Sequence, residues 1–186
     1  MEKRATFTPR DRAAIITFNR FPTLAVKLTN DLRELGGGLA GLTPEGETSL
    51  YDSVMFGLYY FTGIKGQRAL LLLSDGRDEG SRFSFEETLE YARRAGVTLY
   101  SVGLSLREGS ARSDLRRLAD ETGGRSFFIN DIQELPEIYD LIQQELRSQY
   151  LLAFQSSSTD ESDGFRTLEV KTRRDLDVKT ISGYYP

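Results

Sequence analysis

The sequence predicts an α/β protein: a doubly wound, mostly parallel sheet with helices on both faces, plus a small C-terminal antiparallel β unit. Three observations carry this reading. Short apolar runs at residues 69–73 (ALLLL) and 97–102 (VTLYSV) suit strands buried on both faces, as in the middle of a parallel sheet. Helical patterns alternate with such runs as far as about Leu146, which is the rhythm of strand, crossover helix and strand. Beyond Tyr150 the rhythm changes, and strand-like stretches at residues 150–154, 165–170 and 178–181 follow one another with no helix between them.

Residues 1–12 are polar and of mixed charge, and read as an arm or the end of a helix. Residues 13–18 (AAIITF) form an apolar strand, Phe21-Pro22 turns the chain, and Leu24, Val26 and Leu28 alternate along a second strand. So close a pair predicts an antiparallel hairpin at the sheet's edge. Thr29-Asn30-Asp31 starts a helix bearing Leu32, Leu35, Leu39 and Leu42, and the Gly36-Gly37-Gly38 run inside it costs on the order of 1 kcal/mol per glycine. After a loop at residues 43–47, Thr48-Ser49 opens a helix with a hydroxyl cap and presents Tyr51, Val54, Met55, Leu58 and Phe61 to the core. Tyr59 and Tyr60 lie near that face.

The strand at residues 69–73 follows. Ser84 with Glu87 is a capping box for a helix that runs to Ala95 and stops at Gly96. Ser113-Asp114 caps a helix through about Thr122, Ser126 to Ile129 is a short strand, and residues 135–147 form a helix with Pro136 in its first turn. Arg93, Arg94, Arg116 and Arg117 read as solvated helix faces, the acids of residues 156–164 as a solvated loop, and the closing GYYP as strand-end packing.

Composition removes whole classes of chemistry. With no cysteine and no histidine, the chain has no disulfide, thiolate site or cysteine nucleophile, and lacks the commonest general base and zinc ligand. Any metal is therefore a hard cation held by oxygen. The net charge of -4 argues against nucleic acid as the main partner. No apolar stretch approaches the roughly 20 residues of a membrane span, and the first residues lack the apolar core of a signal peptide. There is no G-x-G-x-x-G, no G-x-x-x-x-G-K-[ST] and no G-x-S-x-G, so dinucleotide, P-loop and serine-hydrolase readings lose their motifs.

What remains is GETSLYD at residues 46–52 and LLLLSDGRD at residues 70–78. Asp75 ends the central strand, at the sheet edge where ligands bind in open α/β folds. It is a candidate ligand for Mg²⁺, Ca²⁺ or Mn²⁺, with Gly76 letting the backbone turn; the alternative is that it starts a turn. Thr48 can reach the same edge from the next loop and supply a hydroxyl, or can act as a helix cap.

At these residues the sequence resembles the von Willebrand factor type A domain, in particular a bacterial subgroup first noted in Acidobacteria. DRAAIITFN, KLTND, GETSLYDSV, RALLLLSDGRDEGS, VTLYSVGL, LRRLADETGGRSFFI and ELRSQYLLAF fit its successive blocks. The resemblance implies a Rossmann-like sheet and a metal-ion-dependent adhesion site, with Thr48 and Asp75 as its two later ligands. It implies a protein partner whose acidic group completes the metal's coordination, and an extracytoplasmic setting. D-x-S-x-S, which supplies the family's other ligands from a central first strand, does not occur in this chain. That departure predicts weak or lost cation binding and a gap beside the strand at residues 69–73. The reading divides the chain into an N-terminally incomplete α/β domain at residues 1–148 and a β extension at residues 149–186. The gap points to a truncated reading of a longer protein; the competing expectation is that the chain closes the gap itself, or that a strand-completing partner or a second copy does so. Function is expected to be non-enzymatic protein binding. The alternative on the same architecture is metal-assisted phosphoryl transfer or nucleotide binding, using Asp75, Arg77 and Asp78.

Overall fold

Leu24, Val26 and Leu28 face inward while Thr23, Ala25 and Lys27 are exposed, so the alternation read from the sequence sets the face of the second strand. In the computed structural model, which describes residues 7–40, 42, 46–75, 78–106, 109–156, 164–173, 176 and 178–186, that strand is β2 (Pro22–Thr29). It pairs antiparallel with β1 (Ala13–Phe18), from Ala13 opposite Thr29 to Phe18 opposite Pro22. The expectations for residues 1–6 and 157–163 lie outside the described residues.

Helix α1 (Leu32–Leu39) is capped by Asp31, whose carboxylate accepts from Arg33 N at 2.8 Å. It stops before Leu42 and buries none of its residues fully. Gly38 has a packing reason: a Cβ there would lie 2.0 Å from Val26 Cγ2, so the helix can rest on β2 at this distance through a glycine alone.

Helix α2 (Leu50–Tyr60) buries Leu50, Ser53, Val54, Gly57 and Leu58, a stripe rotated from the expected one. Tyr51 and Phe61 pack at its margin, and Met55 is half-buried. The rotation follows from Gly57. The helix lies so close to the strands that a Cβ on Gly57 would meet Leu70 Cδ1 at 2.9 Å and Ile16 Cδ1 at 3.7 Å.

Strands β3 (Ala69–Ser74), β4 (Thr98–Leu104) and β5 (Ser126–Ile129) form the predicted parallel sheet in the order β3-β4-β5, with Ala69 opposite Thr98 and Ser101 opposite Ser126. Helices α3 (Phe85–Ala95) and α4 (Gly109–Glu121) join α2 on one face, around Leu72, Leu89, Leu99, Leu115 and Leu118. Helix α5 (Leu135–Arg147) covers the other face with Ile138 and Ile142 against Tyr100 and Val102. Burial pushes the Tyr100 hydroxyl up to about 12.

The local signals around α3 hold. Ser84 and Glu87 form the reciprocal capping box, and Gly96 ends the helix in the left-handed region at φ 61°. Helix α4 starts at Gly109, ahead of the expected Ser113-Asp114 cap, because Ala111 packs into the core and extends the helix back over a polar stretch. Arg93, Arg94, Arg116 and Arg117 are not merely solvated: their guanidinium groups lie over Phe165, Tyr185, Phe128 and Phe85, at 4.1–5.6 Å from the ring centroids.

The sheet is not continuous. β1 and β2 make one two-stranded sheet, and β1 shares no ladder with β3. At the C-terminus β6 (Arg166–Thr167) pairs antiparallel with β7 (Gly183–Tyr184), and Ile181 bridges Thr122. Residues 150–154 form no strand, contrary to expectation; Tyr150 is 90% and Leu151 98% exposed, and among the side chains of this run Phe154 meets a strand residue, Tyr184, edge-on at 5.5 Å.

The C-terminal unit is fastened to α4 through Glu121, which binds Arg93 at 2.9 Å and accepts from the Ser182 hydroxyl. The Arg93 hydrogen bond, with a lesser one from Ser182, holds this carboxyl below its ordinary value of 4.5. A lowered folded-state pKa stabilises the fold above the unfolded value, and that contribution fades as pH falls through the folded value. Below about pH 4.5 the C-terminal unit is therefore expected to loosen before the parallel sheet, and Glu121→Gln to remove this pH dependence. Amide exchange at Gly183 against Leu99 across an acid titration measures it.

Candidate functional site at the carboxyl edge of the sheet

β3 delivers Asp75 to the carboxyl edge, where its side chain is exposed. Gly76 and Arg77 lie outside the described residues. The chain leaving Asp75 returns to Thr48, whose carbonyl accepts from Glu79 N at 2.8 Å and Gly80 N at 3.3 Å. Thr48 N in turn donates to Glu79 Oε2 at 3.3 Å. The tie to Thr48 is thus made by Glu79 and Gly80, four and five residues beyond Asp75.

Neither hydroxyl of Thr48-Ser49 caps α2, contrary to expectation. Ser49 holds the cap position but makes no side-chain cap bond. Its Oγ donates to Arg20 O at 2.7 Å and its N–H to Asn19 O at 2.8 Å, which clips the end of β1 to the start of the helix. The cap comes from a distant residue instead. Asp78 accepts from Leu50 N at 2.8 Å and Tyr51 N at 3.3 Å, placing a carboxylate on the positive end of the helix. Asp78 also accepts from Ser81, whose Oγ accepts from Asp52 N at 3.0 Å, and Asp52 accepts from Arg82 N and Phe83 N. The loop after β3 is therefore sewn to the first turn of α2. Sequence reading missed this role because its usual signal is a cap within three residues of the helix, and Asp78 is 28 residues from Leu50.

Freed from capping, the half-buried Thr48 has a hydroxyl with no hydrogen-bond partner among the described residues. Tyr51 OH donates to Asp114 at 2.8 Å, tying α2 to α4; burial, then this carboxylate, pushes its ionisation up. Phe21, 53% exposed in the β1–β2 turn, lies between the guanidinium groups of Arg20 and Arg82, each within 6 Å of its centroid. Among the described residues no group of three or more acidic side chains converges as a metal cluster.

A model of the von Willebrand factor type A domain matches residues 3–141, three quarters of the chain. The chain belongs to the von Willebrand factor type A domain family. Several solved type A domains share its fold. A von Willebrand factor type A protein from Catenulispora acidiphila superposes with a TM-score of 0.65 at 18% identity, over 75% of this chain. The chain spans about a third of that protein's length, 34%. The type V pili tip protein Mfa5 from Porphyromonas gingivalis matches at 12% identity and a TM-score of 0.63, covering 79% of this chain and 83% of its own vWF domain. Proximal thread matrix protein 1 from mussel byssus, solved with zinc in its MIDAS motif, matches at 22% identity and a TM-score of 0.57, over 72% of this chain and 34% of its own. The type A sheet is thus the architecture of this chain.

Replacing Asp78 by alanine leaves two N–H groups of α2 without their acceptor and frees the loop, at a cost of about 1–2 kcal/mol. Urea unfolding is expected to show this loss for Asp78→Ala and a smaller one for Asp78→Asn, which keeps an acceptor oxygen.

Proposed function

We propose that this type A domain is a non-enzymatic protein-binding module that meets its partner at the carboxyl edge, with Thr48 and Asp75 as the remnant of a cation site. The observation that carries the reading is the tied segment from Thr48 to Asp78. It holds the loops of this edge in place while leaving the Asp75 carboxylate exposed and the Thr48 hydroxyl uncommitted. The zinc-occupied MIDAS motif of the mussel protein supports a divalent-cation site in this fold. The pili tip protein supports contact with other proteins.

The donor set suits Mg²⁺, Ca²⁺ or Mn²⁺: two protein oxygens, one of them anionic, with water at the remaining positions. Such a cation is held weakly, and an acidic group of the partner strengthens it by replacing water. Exposed Phe21 with Arg20 and Arg82 adds an aromatic and cationic surface beside it, of the kind that anchors protein interfaces. No described helix is long and apolar enough to cross a membrane.

Titration calorimetry with Mn²⁺ and Mg²⁺ is expected to give dissociation constants no tighter than about 10⁻⁴ M, in the range of weakly ligated sites. Asp75→Ala should abolish the heat and Thr48→Ala reduce it. Tight binding that survives Asp75→Ala would move the site elsewhere.

A further inference from the structure

Two arginines far apart in sequence meet at one exposed ring. The guanidinium carbons of Arg20 and Arg82 stand 5.8 and 5.9 Å from the centroid of Phe21. The first turn of α2 brings them there. Ser49 N donates to Asn19 O at 2.8 Å and Ser49 Oγ to Arg20 O at 2.7 Å, which fixes the hairpin turn that carries Phe21. Phe21 N donates to Asn19 Oδ1 at 3.2 Å within that turn. Asp52, three residues after Ser49, accepts from Arg82 N at 2.8 Å and Phe83 N at 3.1 Å. Positions three apart lie on one side of a helix, so the turn and the loop after β3 are held next to each other through backbone atoms.

The other stacked arginines lie over rings that are buried or half-buried. Arg93, Arg94 and Arg112 are bonded as well, to Glu121, Glu90 and Leu106 O. Those contacts are packing. Phe21, in contrast, is 53% exposed, and Arg20 and Arg82 are exposed with it. Neither guanidinium has a hydrogen bond or ion pair among the described residues. Asp52, Asp78 and Glu79 do not neutralise them, because these carboxylates accept from backbone N–H groups of Arg82, Leu50 and Thr48 instead. Two like charges at one ring repel, and an anion that meets both relieves that repulsion.

We propose that Arg20, Phe21 and Arg82 form an anchor for an acidic peptide segment of the protein partner, with carboxylates on the two guanidinium groups and an apolar or aromatic side chain against Phe21. The proposal rests on the reading of the carboxyl edge as a protein-binding surface, and it needs no cation. Charge decides the class of partner. A nucleic acid also offers anions and flat rings, but it would carry a phosphate at every nucleotide past exposed Asp75 and the acids of the loop, on a chain of net charge -4. A peptide places carboxylates at the guanidinium groups and uncharged groups elsewhere. Arginine and aromatic side chains supply much of the energy of protein interfaces, and here the backbone beneath them is already fixed, which lowers the cost of ordering.

NMR titration of the isotope-labelled full chain with the peptide acetyl-Asp-Phe-Glu-amide, in EDTA, tests the anchor. The peptide is expected to shift the backbone amides of Arg20 and Phe21 and the side-chain Nε–H signals of both arginines. Acetyl-Asn-Phe-Gln-amide is expected to bind at least about 10-fold more weakly. Arg20→Gln with Arg82→Gln removes both guanidinium groups and keeps the Arg20 carbonyl and Arg82 N–H that hold the two loops. Affinity for the acidic peptide is expected to fall at least about 10-fold in that variant.

No shift at these residues, equal affinity for the two peptides, or unchanged binding in the double variant overturns the proposal. Equal competition by inorganic phosphate would assign the patch to a simple anion and overturn it too. Peptide binding that appears only with Mn²⁺ and centres on Thr48 and Asp75 overturns the anchor while supporting the cation reading. Peptide binding in EDTA beside a failed Mn²⁺ titration supports the anchor and overturns the cation reading alone.

Discussion

Helix α2 is the tie on which this structure depends. The β1–β2 hairpin and the β3-β4-β5 sheet share no ladder, so their relation is carried by side chains and by the two ends of one helix. At its start, Ser49 binds the carbonyls of Asn19 and Arg20; at its end, Tyr60 OH accepts from Leu28 N at 2.9 Å. Midway, Gly57 lets the helix settle against Ile16 and Leu70 together. A helix burying about 1.5–3 kcal/mol per large apolar side chain can perform this task, but it fixes the hairpin less stiffly than a ladder of backbone hydrogen bonds would.

The same helix organises the carboxyl edge. Its first turn needs acceptors, and it obtains them from Asp78 on the loop after β3, not from its own hydroxyls. That exchange has two results. It anchors the loop that follows Asp75, and it leaves the Ser49 hydroxyl to bind Arg20 O, while the Thr48 hydroxyl has no hydrogen-bond partner among the described residues. A binding surface built this way inherits its geometry from secondary structure and requires few dedicated residues.

Much of this was legible in the sequence because the signals were local. The apolar run of β3, the alternation of β2, the Ser84–Glu87 box and the Gly96 stop each depend on residues a few positions apart. What escaped depended on distance in sequence. Asp78 caps a helix 28 residues away, and the α2 stripe is turned by strands on either side of it. The arginines of α3 and α4 look like solvated charges until Phe165, Tyr185, Phe128 and Phe85 are brought beneath them. Residues 150–154, read as a strand, form none, because pairing is not written in one segment. At the candidate site, Thr48 and Asp75 were readable as positions at a strand end and a helix start, but the loop tie that joins them was not.

The open edges also bear on solubility. Among the described residues, Ala69, Leu71 and Leu73 of β3 turn their backbone groups to a margin without a ladder, and the apolar run at residues 150–154 is exposed. This is the pairing of exposed edge and sticky strand from which cross-β growth begins. The run is bounded by Arg147 and Gln149 on one side and Gln155 and Ser156 on the other, polar flanks of the kind that restrain such growth.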